Sequence, residues 1–187
     1  MPIITTNDLK NGMTLELENN LYQVVEFQHV KPGKGHAFVR TTLKGLQNGV
    51  VVDRTFRAGE KVEKAIIDKR MMQLLYKDGN DYVFMDSESF EQMPVSPETL
   101  RDSKHYLSEQ SEVMMLMFGD QIIGVELPAS VELTIAQTEP GLQGDRVSGA
   151  RKPATLETGL VVQVPLFVGP DERIKVDTRT GEYLNRV

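Results

Sequence analysis

The chain has 187 residues, 40% hydrophobic and 26% charged, with no cysteine and a formal net charge of −6. The lack of cysteine excludes disulfides, thiolate metal sites and cysteine nucleophiles, and fits a reducing compartment. The negative balance argues against a general polyanion binder, since nucleic-acid affinity comes largely from neutralising phosphates. No apolar run approaches the roughly 18 residues of a membrane span, and "MPIITTNDLKNG" at the N-terminus lacks the basic and apolar regions of a signal peptide.

The charge is unevenly spread. Residues 1–64 carry nine Lys/Arg against seven Asp/Glu, residues 65–127 five against twelve, and residues 128–187 seven against eight. The first third thus has a basic surplus around a glycine-lysine stretch, and the middle third holds the acidity.

In chain order, most segments read as short strands between turns. "LYQVVEFQHV" (21–30) has the Val, Phe and Tyr of a half-buried strand, and "AFVRTTLK" (37–44) alternates more regularly. "GVVVDRTFRAGE" gives another strand, closed by Ala58-Gly59-Glu60. "MMQLLYKDGNDYVFMD" reads as a hairpin with Asp78-Gly79 in its turn. The clear helix start is "VSPETLRDSKHYLSEQ", with Ser96 as N-cap, Pro97 at the first helical position and Glu98 in the first turn. Strands resume in "EVMMLMFGDQIIGVELP", "VELTIA", "GLVVQVPLFV" and a last hairpin, "ERIKVDTRTGEYLNRV". This pattern predicts an all-β protein of small antiparallel barrels, and three of about 60 to 80 residues fit the length. The expected domains are 1–64, 65–127 and 128–187, the first boundary set by the charge shift and the second by Pro128. No internal repeat is read.

Lys34 stands between Gly33 and Gly35 in "HVKPGKGHAF". A phosphate-binding P-loop is excluded: it needs an earlier glycine, a Ser or Thr after the lysine, and a strand-to-helix context. Two readings stay open, a solvated hairpin turn and a cation held out on a narrow arm. "PGLQGDRVSGARKPATLETG" (140–159) reads as a long, locally basic loop through Arg146, Arg151 and Lys152, either a connector or a functional segment. The methionines of "EVMMLMF" read as core filling. His29 and His36 lack a third ligand for a metal, and His105 reads as a surface residue. Tyr183 and Arg186 can stack on bases or bind phosphate, or simply finish the last strand. No carboxylate pair, metal spacing or Ser/His/Asp set marks an enzyme.

Two stretches resemble one family along essentially the whole chain. "HVKPGKGHAF" is similar to the first-domain loop of bacterial translation elongation factor P, and "PGLQGDRVSGARKPATLETGLVVQVPLFV" with "IKVDTRTGEYLNRV" is similar to its last-domain signature. The resemblance implies three β-barrels in an L-shaped, tRNA-like arrangement, an SH3-like (KOW-type) barrel followed by two OB-fold barrels. It implies a cytoplasmic, monomeric, non-enzymatic factor with no membrane partner, binding the 70S ribosome between the peptidyl-tRNA and exit sites and relieving stalling at consecutive prolines. Its partners would be ribosomal RNA and peptidyl-site tRNA, particularly prolyl or initiator.

By position, Lys34 would point toward the tRNA 3′ end, with Pro32, Gly33 and Gly35 shaping its loop. Lys31, His36, Arg40, Tyr183 and Arg186 are the further tRNA or rRNA contact candidates. Gly144, Asp145, Arg146 and Gly149 match the segment that approaches the exit-site codon, with Arg146 where the family has threonine. No cofactor is implied beyond a covalent group on Lys34 added by a lysine-modifying enzyme, and a lysine excludes the glycosylated-arginine form. A further departure is Asp171, where a glycine is expected, read as a shifted turn. The rival readings are a swinging-arm carrier domain with a modified lysine and a general OB-fold RNA-binding protein.

Overall fold

The computed structural model describes residues 2–141 and 149–187. Three sheets follow one another along the chain. The first has six strands in the order β1-β6-β2-β3-β4-β5: β1 (Ile3–Thr5), β2 (Thr14–Leu17), β3 (Asn20–Val30), β4 (Phe38–Gly45), β5 (Val51–Arg57) and β6 (Lys61–Lys64). The second has the order β11-β10-β7-β8-β9: β7 (Asp68–Asp78), β8 (Asp81–Asp86), β9 (Gln92–Val95), β10 (Glu112–Phe118) and β11 (Gln121–Glu126). The third has the order β14-β13-β12-β15-β16: β12 (Ser130–Thr138), β13 (Arg151–Leu156), β14 (Val161–Pro165), β15 (Arg173–Asp177) and β16 (Tyr183–Arg186). Counted within each sheet, the second and third share one order, 3-2-1-4-5.

Alternation explains the strands. On β4, Val39, Thr41 and Leu43 are buried while Arg40 and Lys44 are exposed. Val39 and Leu43 join Leu9, Leu15, Val24, Phe56 and Val62 in the first core, and each such side chain contributes about 1.5–3 kcal/mol on burial. Met115 and Met117 of β10 are fully buried, so these methionines fill the core as their pattern suggests. The third core is built from Leu133, Ile135, Leu156, Val164, Ile174 and Val176. The chain folds into two compact units, Met1–Lys69 with Leu116–Gly124 and Arg70–Met115 with Val125–Val187.

The structure corrects several sequence expectations. The α-helix, α1, covers only Pro97–Leu100. Ser96 does cap it, its hydroxyl accepting from Thr99 N at 3.4 Å. It stops after one turn because Arg101 takes a left-handed backbone (φ 50°), and a 3-10 helix, Arg101–Tyr106, follows. His105 is half-buried there, and its carbonyl accepts from Thr158 Oγ1 at 2.6 Å. Tyr106, next in line, packs against the third core.

The segment 140–159 is not one loop. β13 occupies Arg151–Leu156 and buries Lys152, Ala154 and Leu156. Lys152 is only 7% exposed; its ammonium donates to the Glu139 carbonyl at 2.7 Å instead of adding to a basic surface. In the hairpin of β7 and β8 the two loop residues are Gly79 and Asn80, because Asp78 already pairs with Asp81. Asp171 adopts the left-handed conformation (φ 61°) that suits a glycine, and its N–H donates to the Ile135 carbonyl at 2.9 Å.

One turn recurs at two different hairpins. In Asp86-Ser87-Glu88-Ser89-Phe90-Glu91, Asp86 Oδ1 accepts from Glu88 N (2.8 Å) and Ser89 N (3.1 Å), and Phe90 N donates to the Asp86 carbonyl (2.9 Å). In Asp177-Thr178-Arg179-Thr180-Gly181-Glu182, Asp177 Oδ1 accepts from Arg179 N (2.8 Å) and Thr180 N (3.0 Å), and Gly181 N donates to the Asp177 carbonyl (2.9 Å). The backbone N–H pairs hold both carboxyls below the usual carboxylate range, with Arg70 and Arg179 adding a smaller pull in the same direction. No repeat was legible in the sequence, yet this six-residue unit is one.

Candidate functional site

The ladder between β3 and β4 ends at the pair Val30 and Phe38. The chain between them forms a seven-residue tip, residues 31–37. Lys31, Pro32, Gly33, Lys34, Gly35 and His36 are all exposed. Ala37 is half-buried and anchors the return, its carbonyl accepting from Ala58 N at 3.0 Å. The sequence folds this way because strand-forming residues run to Val30 and resume at Phe38, while Pro32 and the glycines between them cannot extend the ladder.

The two glycines beside Lys34 differ. Gly35 has φ +105°, a region L-residues avoid, and its missing Cβ would lie 4.0 Å from the Pro32 ring. Gly33 has an ordinary φ and open space where a Cβ would stand. Among the described residues nothing therefore requires a glycine at 33. A glycine there instead leaves room for another molecule's backbone to come close.

The cations at this end of the sheet are Lys31, Lys34 and Arg40, joined by one that sequence reasoning missed, Arg57. Phe38 pairs with Arg57 across β4 and β5, which sets that exposed side chain beside the base of the tip. The pairing register was the signal for it. Among the described residues Lys31 and Lys34 have no ion-pair partner. Arg40 is exposed with its guanidinium 5.5 Å from the Phe38 ring centre, a planar cation stacked for use on an outer face. Arg54 is committed elsewhere, to Glu18 at 3.0 Å. The acids lie farther along the strands: Glu26 and Asp53 both face Thr42, whose hydroxyl donates to Asp53 at 3.0 Å. Charge therefore changes sign along the sheet, positive toward the tip. A shallow depression of about 430 Å³ on this face is lined by Gln28, Arg40, Thr42, Asp53 and Thr55 among others. His29, at the end of β3, packs edge-on to Phe27 with ring centres 5.6 Å apart.

The last-sheet candidates are differently placed. Tyr183 is half-buried against the third core. Arg186 is partly engaged, 3.4 Å from Glu172 Oε1 and 5.8 Å over the exposed Phe167 ring. Gly149 is described, with φ +89° and none of the described residues within 4 Å of where a Cβ would stand. Gly144, Asp145 and Arg146 lie outside the described residues. Among the described residues no group of three His, Asp or Glu is arranged to hold a metal ion, and no helix is long and apolar enough to cross a membrane. What the tip can do chemically is present unpaired cations and hydrogen-bond donors to an anionic partner.

Three family models match in chain order: Elongation factor P (EF-P) KOW-like domain over residues 5–62, Elongation factor P (EF-P) OB domain over 67–125, and Elongation factor P, C-terminal, over 131–186. Elongation factor P of Acidothermus cellulolyticus is 58% identical over 182 residues, spanning 97% of each chain. That of Moorella thermoacetica is 52% identical over 184 residues, spanning 98% of this chain and 100% of its own. Among solved structures, eukaryotic translation initiation factor 5A from Methanococcus jannaschii aligns with a TM-score of 0.55 at 23% identity, over 68% of this chain and 92% of its own. A translation initiation factor 5A family protein from Naegleria fowleri aligns with a TM-score of 0.51 at 17% identity, over 67% of this chain and 98% of its own. These structural likenesses show the all-β fold alone. The sequence matches show more: the chain belongs to the elongation factor P family of translation factors.

Proposed function

We propose that the protein binds the ribosome between the peptidyl-tRNA and exit sites and speeds peptide-bond formation at consecutive prolines by positioning the 3′ end of the peptidyl-tRNA. The observation that carries this reading is the exposed tip, with Lys34 unpaired at its centre and an uncrowded Gly33 beside it. Proline's ring restricts the geometry of attack. A cation bonding the tRNA backbone beside the reacting ends holds them in a productive pose, and positioning of this kind is worth several kcal/mol. On this reading Lys34 reaches the CCA end, and Lys31, His36 and Arg40 bind nearby phosphates of tRNA or rRNA. Tyr183 and Arg186 contact the peptidyl-site tRNA, and the segment containing Gly144, Asp145, Arg146 and Gly149 approaches the exit-site codon. The ribosome makes the bond, so the protein needs no catalytic group of its own. It works in the cytoplasm as a monomer, and a covalent group on Lys34 would extend its reach.

The test is a reconstituted translation assay with a proline-run reporter. Lys34→Ala abolishes the rescue while leaving far-UV circular dichroism and ribosome binding in place, because the side chain touches nothing in its own barrel. Full rescue by Lys34→Ala would refute the assignment. An intact mass with a fragment map over residues 31–40 identifies any group on Lys34; a lipoyl or biotinyl adduct would point to a carrier domain instead.

A further inference from the structure

The two recurrent turns share the Asp and Glu at their ends, and they contrast most at the fifth position. Both place their fifth residue in the left-handed region; there the turn of β15 and β16 has Gly181 (φ +73°), and the turn of β8 and β9 has Phe90 (φ +61°). Glycine adopts that backbone without strain, and a bulky aromatic does not. The backbone hydrogen bonds are the same, so the phenylalanine is not required to make the turn. Nor does it serve the core: Phe90 is 69% exposed, the largest exposure among the large hydrophobic residues described. Strain and solvent exposure thus coincide on one ring, held on a turn that the buried Asp86 carboxylate fixes.

A rigidly presented aromatic loses little conformational freedom when it is covered, which is why such rings anchor protein interfaces. The neighbours set the sign of the partner. Ser87, Glu88, Ser89 and Glu91 are exposed around the ring, and the nearby cation Arg70 faces Asp86 at 3.8 Å. Residues 65–127 carry five Lys/Arg against twelve Asp/Glu. RNA phosphates are repelled by such a surface, and a basic protein surface is attracted to it. We propose that Phe90 is the anchor of a docking surface on the middle domain, taken by a ring-accepting, cationic face of a ribosomal protein. This rests on the ribosome-binding reading above and adds a protein contact to the nucleic-acid contacts of the Lys34 tip.

The test uses the full chain and purified 70S ribosomes in a pelleting titration. Phe90→Gly removes the ring and relieves the backbone, so the variant melts no lower than the parent, yet its ribosome affinity falls about tenfold or more, as for an interface anchor. Reversing the rim with Glu88→Lys and Glu91→Lys weakens binding further if the partner is a basic protein, and tightens it if the partner is RNA. A photoreactive benzoylphenylalanine in place of Phe90 crosslinks to a ribosomal protein. Unchanged affinity of Phe90→Gly, tighter binding of the charge-reversed variant, or crosslinks confined to rRNA would each overturn the proposal while leaving ribosome binding intact. Failure of the parent protein to pellet would instead overturn the ribosome-binding reading on which it rests.

Discussion

Gly181→Ala measures what the second of the two turns requires. Gly181 has φ +73°, and a Cβ built there lies 3.2 Å from the Tyr106 hydroxyl. The left-handed backbone costs an alanine about 1–2 kcal/mol, of which roughly 0.4–1 kcal/mol is offset because alanine also restricts the unfolded chain. The contact with Tyr106 adds about 1 kcal/mol, the low end for a methyl group forced against a packed neighbour. The net loss is about 2 kcal/mol, or roughly 1 M in urea midpoint for an m-value of about 2 kcal/mol/M. Gly79→Ala is the control, because Gly79 has φ +60° with nothing within 4 Å of its missing Cβ. It therefore reports the backbone term alone and loses about half as much. Urea denaturation followed by far-UV circular dichroism, with both variants repeated in a Tyr106→Phe background, separates the terms. Equal losses at 79 and 181, or an excess at 181 that survives Tyr106→Phe, would refute the reasoning.

Two further outcomes follow from the same structure. Asp86 and Asp177 are held below the usual carboxylate range by backbone N–H groups. Their contribution to stability is complete above the unfolded value of about 3.9 and is lost as pH falls through their lower folded values. Urea midpoints measured from about pH 5 to pH 2 should fall with acid, and the double variant Asp86→Asn, Asp177→Asn should fall less steeply; an unaltered slope would count against both turns as its source. At Lys152, alanine removes a buried stem and the donor to the Glu139 carbonyl, so Lys152→Ala lowers stability by about 2–3 kcal/mol. Lys152→Met keeps the stem and loses less than half of that, as thermal unfolding of the two variants would show.

The strands were legible where one face is apolar and the other polar. Val39, Thr41 and Leu43 alternate with Arg40 and Lys44 so regularly that β4 needed no tertiary information. β13 was hidden for the converse reason. Its inward positions begin with a lysine and its outward ones include Pro153, so the alternation is carried by Ala154 and Leu156 too late to stand out. Burial of Lys152 depends on a carbonyl thirteen residues away, which no local pattern encodes. At the site, Lys34 and its glycines drew attention by residue type, and resemblance gave them a role. Arg57 was invisible until β5 paired with β4. Phe90 does not stand out in the sequence, because an aromatic in a turn looks ordinary until its φ and exposure are known.

The seam made by Leu21, Ala65 and Ile123, with Leu46, Ile67, Leu116 and Phe118 packed against it, has a consequence for how the chain is made. Its two halves lie far apart in sequence but within one compact unit. Domains generally fold as they leave the ribosome, N-terminal end first. Here the first sheet can close as soon as β6 has emerged, yet Leu21, Leu46 and Ala65 stay uncovered until the hairpin at 116–124 arrives. For that interval the newborn protein carries a bare apolar strip, and chains interrupted before Leu116 keep it. A chain that ends in the middle third would therefore be prone to stick to its neighbours.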